Sequence, residues 1–131
     1  MKRLTLALLP ILMSAMVYSA LAQETASTKA TELKESGTQF LNQLAKGDYA
    51  GATEKFDEQT KKKLTPERME KLWLSLVETA GSFQKLIDTK FKEDKKADVV
   101  TLKCQFEAGV FYMRLGFDAD KKIKDFDVDD H

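Results

Sequence analysis

The stretch TPERMEKLWLSLVETAGSF, residues 65–83, decides the fold, because a helix ends inside it and a strand begins. Thr65 is a good N-cap, and Pro66 takes the first helical position, where its missing N–H costs nothing. Gly81 ends the helical pattern. We therefore predict a helix over residues 66–80, followed by a switch from helical to strand spacing.

Apolar side chains within this helix recur three and four residues apart and share one face. They are Met69, Leu72, Trp73, Leu76, Val77 and Ala80. This stripe predicts an amphipathic helix that packs against the rest of the domain.

After Gly81 the apolar residues follow a period of two, which is typical of half-buried strands. The first strand is marked by Phe83, Ile87 and Phe91. Three more strands are predicted at residues 100–108, 111–117 and 123–128. Residues 118–122 are expected to form a polar hairpin loop.

Two further helices are predicted upstream, at about residues 28–45 and 49–62, with Asp48 as the N-cap of the second. Their inward residues are Leu33, Phe40, Leu41 and Leu44 in the first and Tyr49, Ala52 and Phe56 in the second. Gly37 on the first stripe would let another element approach closely. The predicted fold is α+β, with three N-terminal helices packed on a curved antiparallel four-stranded sheet.

The first residues have the pattern of a cleavable signal peptide. Lys2 and Arg3 precede an apolar run over residues 4–17, and Ala20-Leu21-Ala22 supplies the small-x-small cleavage pattern. We predict cleavage between Ala22 and Gln23 and a periplasmic or secreted protein. An uncleaved N-terminal anchor is the alternative, although the apolar run is shorter than the roughly 20 residues that span a bilayer.

The predicted domain organisation is a signal peptide at residues 1–22, a flexible lead-in at 23–28 and one domain at 29–131. The chain has 21 basic and 21 acidic residues, so its net charge is zero. Interspersed charges of both signs give no electrostatic footprint for nucleic acid or anionic lipid. We therefore expect no nucleic-acid partner and no membrane span after signal cleavage.

A set of short motifs spans the predicted helices and the switch to strands. They are Gly47-Asp48-Tyr49 with Ala52 and Phe56-Asp57, Leu64-Thr65-Pro66-Glu67 with Met69 and Trp73, and Gly81-Ser82-Phe83. Residues 29–128 carrying these motifs resemble the bacterial domain-of-unknown-function 3887 family of the nuclear transport factor two-like superfamily. The resemblance implies a cystatin-like cone, in which a bent sheet wraps around helices and a cavity opens between them.

The residues expected to line such a cavity are apolar. The candidates are Trp73, Phe83, Cys104, Phe106, Phe111 and Met113. Ordinary core packing is the alternative for Trp73 and the phenylalanines, because the helical stripe already explains the spacing.

Catalytic and metal-binding patterns are weak in this chain. Superfamily enzymes that transfer protons need an Asp or His at the pocket floor, whereas the single histidine is His131 and the strand carboxylates Asp88 and Glu107 fall on the outward register. Cys104, the only cysteine, is expected to be buried and inert. The aspartates from Asp118 onward fail as an EF-hand, because Ile123 stands where the invariant glycine belongs. We expect neither catalytic residues nor a cofactor.

Three functions remain open on the sequence. The leading hypothesis is an exported, non-enzymatic binding or accessory module that holds a small apolar ligand or docks a cell-envelope partner. The alternatives are a homodimer formed through the outer sheet face and a small-molecule isomerase or hydrolase of the same fold. An apolar inner sheet face without an acid–base pair favours the first.

Overall fold

The computed structural model describes the backbone of residues 9–130 and the side chains of residues 28–130. The chain divides after Glu32 into two compact units, and the fold described below is that of the second, which begins at Leu33. The predicted signal peptide lies outside the residues whose side chains are described, so cleavage and export stay predictions. No helix in the described part of the chain combines the length and apolarity of a membrane span.

Four helices precede the sheet in the described residues. They are α1 (Leu9–Lys46), α2 (Tyr49–Thr53), α3 (Glu58–Lys63) and α4 (Pro66–Ala80). The predicted inward residues of α1 from Leu33 to Leu44 are all buried. An added Cβ at Gly37 would lie only 3.2 Å from Leu115 and 3.3 Å from Val100, which confirms the close approach predicted there.

The single predicted helix over residues 49–62 is wrong, because the chain breaks into α2 and α3 around Phe56. Phe56 forms an isolated parallel β-bridge with Ile123. The Ile123 N–H donates to the Lys55 carbonyl at 2.8 Å, and the Asp57 N–H donates to the Ile123 carbonyl at 2.9 Å. The Asp57 carboxylate then caps α3 by accepting from the Thr60 N–H at 2.8 Å. Pairing with a distant strand therefore interrupts the helix.

Helix α4 has the predicted bounds and the predicted cap. The Thr65 hydroxyl accepts from the Arg68 N–H at 3.3 Å, and Gly81 has a φ of 82°. Met69, Trp73 and Ala80 on the predicted stripe are buried, whereas Leu72 is 45% exposed. The apolar stripe of α4 is thus wider than the part of the helix that is buried against the core.

The sheet is antiparallel with strand order β1-β2-β3-β4, which confirms the predicted four-stranded arrangement. Its strands are β1 (Phe83–Lys92), β2 (Asp98–Phe106), β3 (Gly109–Phe117) and β4 (Ile123–Asp129). Strand β1 departs from a strict period of two at register shifts around Phe83 and Leu86. As a result Leu86 packs against the core, and Ile87, one of the apolar residues that marked the predicted strand, is 42% exposed.

The end of α4 is joined to the hairpin between β2 and β3. The Ala108 N–H donates to the Ala80 carbonyl at 2.8 Å, and the Ser82 N–H donates to the Glu107 carboxylate at 2.7 Å. The hydrogen bonding from Ser82 lowers the pKa of Glu107 below its ordinary value. These contacts fix where α4 lies against the sheet.

Candidate functional site

An open apolar groove lies between helix α4 and the edge strand β4. Its volume is about 270 Å³. The lining comprises Met69, Leu72, Trp73 and Leu76 from α4, and Phe126, Asp127 and Val128 from β4. Six of the seven side chains are apolar, so the groove is suited to the apolar part of a ligand.

The helix wall of the groove follows from the width of the α4 stripe. Met69 and Trp73 face the core and are buried, while Leu72 and Leu76 lie one turn apart at its margin. Side chains four residues apart on a helix are neighbours. Leu72 and Leu76 therefore form a continuous, partly exposed apolar edge.

The strand wall of the groove comes from alternate residues of β4. Phe126 pairs with Leu115 and Val128 pairs with Met113 across the β3–β4 ladder. The Phe126 ring also lies 5.6 Å from the Phe40 ring in an edge-to-face arrangement, which is favourable for aromatic pairs. Phe126 is therefore held by the core although part of its surface faces the groove.

A charged cluster stands beside this strand wall. Arg114 on β3 forms ion pairs with Asp129 and, at 3.5 Å, with Asp127. The hydrogen bond from Arg114 to Asp129 and the charges of both aspartates raise the pKa of Arg114 above its ordinary value. The Asp127 side chain remains 69% exposed, so a carboxylate is accessible at the rim.

The structure places the six predicted cavity residues at different depths. Trp73 lines the groove, while the other five belong to the core or pack against it. The ring of Phe106 lies 5.9, 5.5 and 5.4 Å from those of Trp73, Phe83 and Phe111. These aromatic side chains, with Cys104 and Met113, fill the interior between helices and sheet.

The groove residues that sequence reasoning missed are Leu72, Leu76, Phe126, Asp127 and Val128. Leu72 and Leu76 belong to the apolar stripe predicted for α4, and Phe126 and Val128 are apolar residues of the last predicted strand. Their exposure at a groove depends on how far α4 lies from β4, which no local sequence pattern encodes.

Cys104 is a buried thiol. Its side chain lies in the core, with the sulfur 3.6 Å from the Leu102 carbonyl oxygen. Burial raises the pKa of the thiol to about 12, and the thiolate is the reactive species. This environment is consistent with the prediction that Cys104 is buried and inert.

We expect Cys104 to resist thiol–disulfide exchange in the folded protein. Labelling by an aromatic disulfide reagent at pH 8 should be at least about a hundredfold slower than in urea, because both access and the thiolate fraction are low. The measurement is thiol release followed by absorbance, with the urea-unfolded protein as control. Rapid labelling under native conditions would contradict the burial.

The remaining carboxylate candidates have structural contacts or lie on the surface. Asp88 is exposed, and Glu107 caps Ser82. Asp118 organises the β3–β4 loop by accepting from the N–H groups of Asp120 and Lys122, each at 2.9 Å. Among the described residues no group of three or more His, Cys, Asp or Glu side chains could hold a metal ion.

A second, polar cavity of about 570 Å³ lies where α1 and α2 approach the β3–β4 loop. Its lining is mixed in charge and includes Gln43, Glu54, Lys55, Asp120 and Lys122. Within the described residues, the buried Gln43 Oε1 has no hydrogen-bond partner. With charges of both signs and a wide opening, this cavity has no defined ligand chemistry.

Fold and groove together define an α+β domain in which helices precede a four-stranded antiparallel sheet and an apolar groove opens at one sheet edge. The chain belongs to the family described as Protein of unknown function (DUF3887), which matches residues 37–126. The match covers more than half of the chain and includes α4 and most of β4. No curated protein and no solved structure matches the chain.

Proposed function

We propose that this protein is an exported, non-enzymatic binding module whose α4–β4 groove takes up the apolar part of a ligand or partner. The observation that carries the proposal is the groove itself, with six apolar side chains and a single carboxylate. The proposed arrangement is a cystatin-like cone, as the family resemblance implies, and export rests on the signal-peptide pattern at the N-terminus.

Binding rather than catalysis is supported by the chemistry of the lining. A proton-transfer site needs a positioned base and a group that stabilises the developing charge. The one ionisable side chain in the lining, Asp127, forms an ion pair with Arg114 and is largely exposed to water. A group in that position is suited to contacting a charged ligand at the rim.

The groove can be tested with a neutral apolar dye, N-phenylnaphthylamine. Trp73 is the only tryptophan and lines the groove, so energy transfer from Trp73 reports a dye bound beside it. We expect Leu72→Glu to weaken dye binding at least about tenfold, because it places a carboxylate in an apolar site.

Leu74→Glu is the matched control, since Leu74 is 54% exposed on the same helix and is absent from the groove lining. Its dye affinity should stay within about twofold of the wild type, because surface substitutions away from the site have small effects. Equal losses in both variants, or no dye binding by the wild type, would overturn the proposed function.

A further inference from the structure

The outer edge of β4 already receives one extended segment of the chain. At Ile123, the backbone N–H and C=O bond to Lys55 and Asp57, so residues 55–57 begin a parallel neighbour to β4. Asp57 then caps α3, and the Thr60 hydroxyl of that helix donates to the Lys124 carbonyl of β4 at 3.2 Å. Residues 55–57 thus form a single β-bridge with this edge and do not continue as a strand.

Beyond Lys124, whose carbonyl accepts from the Thr60 hydroxyl of α3 at 3.2 Å, the backbone edge of β4 has no partner among the described residues. In the part of the chain that the structure describes, β4 pairs only with β3 in the sheet, and no backbone hydrogen bond from another segment reaches residues 125–128. Alternate residues of an edge strand direct their N–H and C=O groups away from the sheet. An extended peptide can bond to these groups and add a strand.

The apolar groove lies along the same stretch of β4. Phe126 and Val128 form one wall, and Leu72 and Leu76 on α4 form the other. Residues 125–128 extend over about 10–14 Å at the usual rise of a strand. A peptide paired with this stretch would place alternate side chains in the groove, so backbone and side-chain recognition coincide.

The charges of β4 specify the other side chains of such a peptide. Asp125 and Asp127 alternate with Phe126 and Val128 along the strand and are exposed, and Asp127 also reaches the rim of the groove. Arg114 pairs with Asp127 and Asp129, whereas no ion pair to Asp125 is present among the described residues. Over residues 125–127 the strand therefore presents two carboxylates, of which only Asp127 is paired with Arg114.

From these contacts we propose that the open edge of β4 binds an extended polypeptide segment of a partner protein, in which apolar residues alternate with Lys or Arg. The segment continues the strand begun by residues 55–57, inserts its apolar side chains between α4 and β4, and places its basic side chains beside Asp125 and Asp127. This inference rests on the proposed function, because it names the partner of the same groove.

A second copy of this chain fits the edge poorly. Pairing β4 with β4 of another copy would bring the aspartates of two identical strands together, and like charges opposite each other destabilise a sheet. Charge complementarity favours a basic segment instead.

The test uses the peptide acetyl-Lys-Val-Lys-Val-Lys-Val-Lys-amide and two analogues, one N-methylated at its valines and the other at its lysines. Only one set of N–H groups faces the partner strand. We therefore expect one analogue to bind at least about tenfold more weakly than the parent, through loss of several backbone hydrogen bonds, and the other to bind within about threefold. Calorimetry on the purified protein measures all three.

The double variant Asp125→Asn, Asp127→Asn should bind the parent peptide about threefold or more weakly, because it removes exposed ion pairs, each of modest strength. A peptide with Glu in place of each Lys should bind the wild-type protein no more tightly than the parent peptide binds this double variant. Equal affinity for the two methylated analogues would overturn the added strand.

The outcomes separate this inference from the proposed function. Dye binding that depends on Leu72, combined with no binding of the basic peptide, would leave the groove as an apolar site and overturn the peptide inference. Failure of dye and peptide together would overturn both.

Discussion

Replacing Phe106 with alanine is expected to lower the free energy of unfolding by about 3–5 kcal/mol, the usual cost of deleting a fully buried phenylalanine. Phe106 is 1% exposed, and its ring contacts those of Trp73, Phe83 and Phe111. It therefore joins α4, β1 and β3 from a position on β2. Removing the ring leaves a cavity whose walls belong to several elements, which limits their collapse.

Phe111→Ala is the matched control for this prediction. Phe111 is only half-buried, and the aromatic contact shown for its ring is the one to Phe106 at 5.4 Å. Urea unfolding of both variants, monitored by far-ultraviolet circular dichroism, gives the two free-energy losses. A loss at Phe106 no larger than that at Phe111 would contradict a central role for Phe106 in the core.

The elements predicted from sequence hold where local signals and burial agree. Helix α4 has a capping threonine, a proline at its first position and a terminating glycine, and its bounds are as predicted. Strand β2 alternates between buried and half-buried residues from Val100 to Phe106, because one face packs on the core and the other does not. In these segments the local preference and the tertiary contacts favour the same structure.

The predictions failed where a distant partner overrides the local pattern. Around Phe56 the helical spacing continues, yet the backbone of residues 55–57 bonds to Ile123 and breaks the helix. In β1, two register shifts turn Ile87 outward and Leu86 toward the core. Both events depend on pairing between segments far apart in the chain, so sequence spacing alone could not reveal them.

The groove was outside the reach of sequence analysis for a related reason. Leu72 and Leu76 have the same helical spacing as the buried Met69 and Trp73, and only the position of α4 over the sheet leaves the leucines partly exposed. That position is set at the end of α4, where Ala80 and Ser82 bond to the β2–β3 hairpin. The junction at Gly81 is therefore connected to the shape of the candidate site.

Gly81→Ala is expected to lower the free energy of unfolding by about 2–4 kcal/mol, from backbone strain together with a steric clash. Gly81 has φ 82° and ψ −174°, a region that residues with a Cβ essentially avoid. An added Cβ would lie 2.6 Å from the Glu107 Cβ, so the hairpin would have to move. Urea unfolding measures the loss, and the dye affinity of the groove reports any movement of α4.

Gly47→Ala is the control for a positive φ without a steric clash. Gly47 has a similar φ of 83°, but an added Cβ there would meet nothing closer than 4.0 Å, so its cost should be the backbone penalty alone, about 1–2 kcal/mol. Adding Glu107→Gly to Gly81→Ala removes the clashing Cβ. The double variant Gly81→Ala, Glu107→Gly should therefore lose less stability than the sum of the losses in the two single variants, and a double-mutant cycle measures this difference. Additive losses, or equal losses at Gly81 and Gly47, would show that close packing against Glu107 does not hold α4 in place.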